Sequence, residues 1–447
     1  MELFLHNIYN IFVEVKIFIL ICLRFIKNCD CGVKILMFDA KEYILKNGLK
    51  LITVKRDTEI AAVHAGIKVG SLYEDQNEKG ISHFIEHMLF KGTKDMNNEE
   101  LNSCLENLGG EYNAYTDYNC TVLGITALVE EMEDSIKLMS DMLMNSTFPE
   151  DELEKERNVI LAEIRTSKDD VEDYSFDRIN DIAFEKSPLK YGTIGEEASV
   201  KSFTREQIVG FYNKYYIPDN CYISVVSNYE HEYVKKLIEK YYEIWKWKEL
   251  KTVEIIKEKN KNIKVISHKK EIEQSTIIYL YTFYGITEDS ELALKILNHK
   301  LGESSNSILF RELREQRGLA YDVYTHLDLT NDVKTLYIYT AVSPENVDQA
   351  LAVIDGTIEK IKNEEIVFDE STIDLMKKVL KTAVALTLED STDIGNYILH
   401  QSIDGESIYK LFDDMKEMKL IRKDDIYKAA KDVLKCPAVH ILLPEGK

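Results

Sequence analysis

The residues best suited to chemistry are His83-Phe84-Ile85-Glu86-His87, two imidazoles four positions apart with a carboxylate between them. On a helix that spacing puts both rings on one face, within reach of a single metal ion. At about 100° per residue, His87 falls about 40° from His83 and Glu86 about 60° to the other side. Ile81, Phe84, Ile85, Met88 and Leu89 fill the opposite face, so the segment separates an apolar side for a core from a polar side for a cavity. With 10 His in the chain, the pattern HxxEH arises by chance on the order of 0.02 times. A catalytic zinc takes three protein ligands and keeps one position open. The third ligand must come from elsewhere. The acidic run FPEDELEKERNVILAEI (148–164) offers Glu156 and Glu163, seven residues apart and within about 20° of one helical face.

These side chains need a scaffold, and the surrounding pattern describes one. Asn47-Gly48 between ILK and LKLITVKR reads as a hairpin turn joining two strands. Residues 60–70 and 121–128 read as further strands, while 81–91, 97–108, 130–146 and 150–168 carry helical periods. Such a mixture predicts an α+β fold with helices packed on a mostly antiparallel sheet. The pattern then recurs. LKLITVKRDTEIAAVHAGIKVGSLYED from Leu49 lies without gaps over IKVISHKKEIEQSTIIYLYTFYGITED from Ile263, with Lys50/Lys264, Ile52/Ile266, Lys55/Lys269, Glu59/Glu273, Glu74/Glu288 and Asp75/Asp289 coinciding. The strand beginning at Cys221 echoes the closing strand from Cys436 at nearly the same offset, so two homologous halves are expected. They divide as 39–244 and 263–447, joined by the Lys/Glu-rich stretch 245–262 as linker. The offset puts Leu297, Lys300 and Leu301 opposite His83, Glu86 and His87, so only the first half carries metal ligands. His299, close by, belongs to no ligand spacing and is expected to be structural.

Composition bounds the partners. Lys+Arg 56 against Asp+Glu 78 gives a net charge of −22, which argues against a nucleic-acid surface and leaves room for basic peptides. Seven cysteines, an odd number without a regular framework, point to a reducing, cytoplasmic setting. The apolar run Ile17 to Leu23 is bracketed by Glu14, Lys16 and Arg24 and is far shorter than the roughly 20 residues a membrane span needs. Stable membrane insertion is therefore not expected. Residues 1–38 match nothing later in the chain and read as an extension, with Met37 an alternative start; Cys29-Asp30-Cys31 within it is weak evidence for a metal site.

HFIEHMLFKGT (83–93), followed 76 residues after His87 by the last Glu of ERNVILAEI, resembles the inverzincin metallopeptidases of the pitrilysin/insulinase family, in the branch that includes mitochondrial processing peptidase and its bacterial relatives. The similarity runs from about Tyr43 to Leu443. It implies a bacterial zinc endopeptidase whose two halves enclose a chamber, with one zinc per chain on His83, His87 and Glu163. Glu86 would be the general base and Glu156 a supporting group behind the ligands. GGEYNAYTDY (109–118) resembles the segment whose edge strand pairs with substrate, which implies that Asn113 and Ala114 lie beside the scissile bond. RELREQRGLAY (311–321) resembles the second-half motif, which implies that Arg314 and Tyr321 reach the substrate. The stretch before it, Leu301 to Asn306, has one glycine where relatives often have several. Inactive relatives serve as subunits of heterodimers. An intact HxxEH and the Arg314/Tyr321 segment on one chain favour a self-sufficient homodimer over that arrangement, and dedicated maturation of one leader peptide remains an alternative to general peptide cleavage.

Overall fold

The computed structural model describes residues 38–250 and 253–446. The run 17–23, Cys29-Asp30-Cys31 and Met37 lie outside the described residues. The first sheet contains β1 (Asp39–Ile44), β2 (Lys50–Lys55), β3 (Ile60–Ile67), β4 (Glu111–Thr116), β5 (Thr121–Leu128) and β6 (Cys221–Ser227), in the order β1-β2-β6-β3-β5-β4. The second contains β7 (Ile263–Lys269), β8 (Ser275–Thr282), β9 (Ala320–Asp328), β10 (Thr335–Val342) and β11 (Ala438–Pro444), in the order β7-β11-β8-β10-β9. With β1 removed, the two orders are the same when read in chain sequence. Each sheet also has one parallel pair, β2 with β6 and β7 with β11, in an otherwise antiparallel ladder. The two halves expected from the repeat are thus present as two copies of one topology.

The Asn47-Gly48 turn forms as expected. Gly48 has φ +90°, Leu45 N–H donates to Leu49 O at 2.8 Å, and the Asn47 amide donates to Tyr242 O at 2.9 Å. Among the described residues eight helices lie in the first half of the sequence: α1 (Ile81–Met88), α2 (Asn98–Asn107), α3 (Met132–Asn145), α4 (Glu150–Asp169), α5 (Val171–Ala183), α6 (Glu197–Ser202), α7 (Arg205–Tyr215) and α8 (His231–Tyr242). The chain continues after β8 with α9 (Glu288–Asn298), α10 (Val347–Lys362), α11 (Glu370–Glu389), α12 (Ser391–Asp404), α13 (Lys410–Glu417) and α14 (Lys423–Val433). Helix starts follow local chemistry: Asn97 with Glu100, and Thr204 with Gln207, form capping boxes for α2 and α7. The main core joins α1, α3, α4 and α7 to one face of the first sheet, and a second core joins α9, α10 and α14 to the second sheet.

The other face of each sheet is covered from across the repeat. Helix α5, in the first half of the sequence, lays Ile179 and Ala183 against Ile278 and Leu280 of β8, and Tyr337 donates to the Asn180 carboxamide at 2.8 Å. Helix α12, in the second half, lays Ile394 and Ile398 against Ile52, Val54, Ala62 and Val226 of the first sheet. Each fully buried aliphatic side chain is worth roughly 1.5–3 kcal/mol, so these exchanged helices bind the halves firmly. They also place the cavity between the halves, because α4 runs directly into α5 and carries the acidic face of one half to the sheet of the other.

Candidate metal centre

Helix α1 begins without a side-chain cap. Gly80 stands at its start with φ +95°, and a Cβ there would lie 2.6 Å from Ile194 O, so the loop around Gly195 leaves no room for one. Glu74 supplies the cap from a distance. Its carboxylate, 5% exposed, accepts the Gly80 and Ser82 backbone N–H groups at 2.9 Å each, and the Lys79 ammonium donates to Glu74 O at 2.6 Å. Ile81, Phe84, Ile85 and Met88 enter the core, leaving His83, Glu86 and His87 half-buried on the opposite face. That is the separation of faces read from the sequence.

Helix α4 packs against α1 and brings Glu163 over the two rings. His83 Nε2 lies 3.8 Å and His87 Nε2 3.6 Å from Glu163 Oε2, and a ligand atom from each of the three residues falls within 4.8 Å of the others. Among the described residues this is the one such group. Bonds of about 2.0–2.1 Å to a tetrahedral zinc put donor atoms about 3.4 Å apart, so the two imidazoles and one carboxylate fit that ion. Protonation agrees with ligation at His83. Burial, aided by the neighbouring His87, holds its pKa down to about 4, which leaves the ring neutral near pH 7.

Glu156, one face down α4, accepts from both His87 Nδ1 at 3.0 Å and the Lys91 ammonium at 2.8 Å. Burial pushes the Glu156 carboxyl up, but the hydrogen bonds from His87 and Lys91 outweigh it and leave the pKa below its ordinary value. At His87 burial acts downward, and the bond to Glu156 with the surrounding carboxylates raises the pKa overall. The Glu156 bond turns His87 Nε2 towards Glu163. Glu86 receives a hydrogen bond of 2.6 Å from the Thr116 hydroxyl, and burial still raises its pKa.

The structure therefore gathers His83, Glu86, His87, Glu156 and Glu163 at one place. It puts Asn113 and Ala114 on β4, the outermost strand of the first sheet. Ala114 packs on the helical side towards α1, while Asn113 turns to the α12 side, so only the main chain of the free edge can serve both. Arg314 and Tyr321 meet each other, with the guanidinium 5.3 Å from the Tyr321 ring and 5.0 Å from that of Phe310. Tyr321 is 72% exposed, and neither residue lines the cavity that holds Glu163. Tyr321 sits at the opening end of β9 and Arg314 on the helical turn Arg311–Glu315 before it, whereas Tyr324, His326 and Asp328 further along that strand line the cavity. Leu297 and Leu301, the counterparts of the two histidines, are fully buried and apolar. His299 pairs with Glu303 at 3.5 Å.

The cavity, of about 730 Å³, is lined by Glu163, Glu172, Asp173 and Asp177 from α4 and α5 and by His326 and Asp328 from β9, with no lysine or arginine. Three supporting residues were not singled out from sequence. Lys91 had a signal, standing four positions after His87 within the same motif. Thr116 lies inside the NAYTDY segment. Glu74 showed only as one coincidence in the repeat.

Residues 50–197 match the family model described as insulinase (peptidase family M16), and 202–380 match the one described as the peptidase M16 inactive domain. An uncharacterized zinc protease of Bacillus subtilis is 30% identical over 352 residues, covering 78% of this chain and 85% of that one. This chain belongs to the insulinase (peptidase M16) family. A second relative, an uncharacterized zinc protease of Rickettsia felis, is 28% identical over 87% of this chain and 93% of its own length. Among solved structures, a protease from Helicobacter pylori superposes with a TM-score of 0.86 at 24% identity, over 91% of this chain and all of that one. A Pseudomonas fluorescens protein described as a peptidase M16 inactive domain gives 0.83 at 19% identity, over 91% and 98%. The match to the inactive-domain model begins within the last elements of the first half and runs on into the second, where it takes in Leu297 and Leu301, the counterparts of the two histidines. Among the described residues no helix is long and apolar enough to cross a membrane.

Proposed function

We propose that the protein is a zinc-dependent endopeptidase that cleaves peptides or unfolded segments held in extended form between its two halves. The observation that carries this reading is the convergence of His83, His87 and Glu163 with Glu86 beside them. Zinc bound there would polarise the scissile carbonyl and acidify water. Glu86, aimed by the Thr116 hydroxyl, takes a proton from the attacking water and returns it to the leaving amine. Glu156 keeps His87 in the ligating orientation, and Lys91 balances its charge. The unpaired side of β4 offers main-chain donors and acceptors to an added peptide strand, which supports binding with little dependence on sequence. Arg314 and Tyr321 serve substrate when the halves close further, stabilising the oxyanion from the second half.

Acidic lining of the cavity supports a preference for basic peptides. The presence of ligands, base and the Arg314/Tyr321 pair on one chain supports a homodimer as the working form. Cys104, Cys120, Cys221 and Cys436 are free, which supports a reducing cytoplasm as its location. The test is cleavage of a diverse peptide pool by the zinc-loaded protein and by Glu86→Gln, with zinc content measured for both. Loss of cleavage with zinc retained is expected in the variant. A wild-type protein that binds zinc and cleaves nothing in the pool would refute the reading.

A further inference from the structure

The strand that carries Asn113 and Ala114 is held from the second half at one point. Thr116 of β4 donates to Glu86 on α1, and Tyr115 bonds to α12, so alternation puts Glu111, Asn113 and Tyr115 on the α12 face and Tyr112, Ala114 and Thr116 on the α1 face. Glu111 and Asn113 are exposed. Beside Asn113 the space over β5 is a hollow of about 230 Å³, because its cross-strand partner Gly124 has no side chain. Tyr115 differs from both. Its ring packs against the cluster of Cys120, Val122, Leu399 and Ile403, and among the described residues it is the one β4 side chain hydrogen-bonded to the second half.

These contacts form a chain in which each proton has one place. The Tyr115 hydroxyl donates to Asn396 Oδ1 at 2.7 Å, and its oxygen lies 2.6 Å from His400 Nε2. A hydroxyl has a single proton to give, so Nε2 carries the proton of the neutral imidazole and donates it to the Tyr115 oxygen. Nδ1 is then a bare acceptor, and the Cys120 sulfur stands 3.9 Å from it. Burial holds the His400 pKa below its ordinary value against the pull of Asp117, and burial pushes the Cys120 thiol well up, so the ring stays neutral and the sulfur keeps its proton. Asn396 and His400 stand four apart on α12, and one face of that helix supplies both partners.

Consecutive residues thus pin the strand on opposite sides, Tyr115 to the second half and Thr116 to the Glu86 carboxylate. The outer edge of β4 has no strand beside it. A peptide that adds to such an edge must order it on binding, and an edge already fixed in extended form makes that cost smaller. We propose that His400 and Asn396 are positioning residues for peptide binding: through the Tyr115 hydroxyl they hold β4 in the line that an added strand requires. The second half then sets the affinity of the first half's edge without touching the peptide there. The inference rests on the peptidase reading for the course of the peptide along β4.

The experiment compares Tyr115→Phe, His400→Leu, His400→Gln and the double variant Tyr115→Phe/His400→Leu. In the Glu86→Gln background, peptide affinity is measured by fluorescence anisotropy and backbone amide exchange by mass spectrometry, with zinc content and melting temperatures recorded. Tyr115→Phe and His400→Leu are each expected to weaken binding about tenfold and to speed exchange within β4 while exchange elsewhere holds. The double variant should bind no more weakly than either single one, because both remove the same bond. His400→Gln, whose amide N–H can stand where Nε2–H stood, should bind like its parent. With Glu86 restored, the loss should appear in KM, with kcat within about threefold of wild type. Unchanged affinity, additive losses in the double variant, a loss that His400→Gln shares, or faster exchange spread through the whole protein would overturn the positioning role. Weaker binding in the expected pattern, without cleavage of any peptide by wild type, would support that role and refute the peptidase reading.

Discussion

Glu74 gives a prediction whose magnitude follows from its surroundings. Burial raises its pKa from 4.5 to about 7, against the opposing effects of the Gly80 and Ser82 N–H groups and of Lys79. A carboxyl with a raised pKa in the folded chain binds its proton more tightly there than when unfolded. The stability it contributes is complete below about pH 4.5 and is lost as the pH rises through about 7. The interval from 4.5 to about 7, at about 1.4 kcal/mol per pH unit, is worth about 3 kcal/mol, most of which falls between pH 5 and pH 8. Glu74→Gln keeps the shape and removes the ionisation. It also loses an acceptor for one of the two N–H groups, but that cost does not vary with pH. Urea unfolding of the zinc-free proteins at pH 5, 6, 7 and 8 should therefore show wild type losing about 2–3 kcal/mol relative to Glu74→Gln across the range, while shared titrations such as those of His83 and His87 cancel in the difference. A constant gap would refute the reasoning. So would a gap that opens in favour of wild type as pH rises, because the two N–H groups and Lys79 would then outweigh burial.

Four further outcomes are expected. Glu163→Gln should abolish tight zinc binding, whereas Glu156→Gln should weaken it by about 10–100-fold, measured by competition with a chelator; the reverse order would exchange their roles. Thr116→Val should lower kcat about tenfold with KM and zinc content unchanged, and Thr116→Ser should restore it; a fall confined to KM would remove Thr116 from the positioning of Glu86. Arg314→Ala combined with Tyr321→Phe should lower kcat/KM by about 100-fold or more, and unaltered cleavage would mean that the second half only encloses the substrate. Cleavage of Arg- and Lys-rich peptides should slow between low and high salt while that of neutral peptides holds steady; equal salt effects would detach the acidic cavity from selection.

The separation of faces on α1 was legible in the sequence because helical period alone determines which residues share a side. From spacing alone the third ligand was a choice between Glu156 and Glu163, since seven residues put both on one face and cannot say which meets the rings; the resemblance to the pitrilysin/insulinase family was what named Glu163. Glu74 and Thr116 act across turns of chain whose course no periodicity describes, so their roles waited for the tertiary structure. The repeat predicted two like halves and the topology bears this out, including the parallel pair in each sheet. It could not reveal that α5 and α12 cover the opposite half's sheet. An amphipathic helix declares which of its faces is apolar, but not which of two similar sheets will receive it.

The placement of α12 has a consequence during synthesis. The first sheet is complete in sequence once β6 ends at Ser227, but the helix that covers its outer face begins at Ser391, 164 residues later. At about 5–20 residues per second the ribosome leaves Ile52, Val54, Ala62 and Val226 without their native cover for on the order of 10–30 s. The nascent first half is thus a natural client for chaperones that shield apolar sheet surface. A chain truncated after the linker should be retained by them or aggregate, and supplying the second half as a separate polypeptide should rescue it.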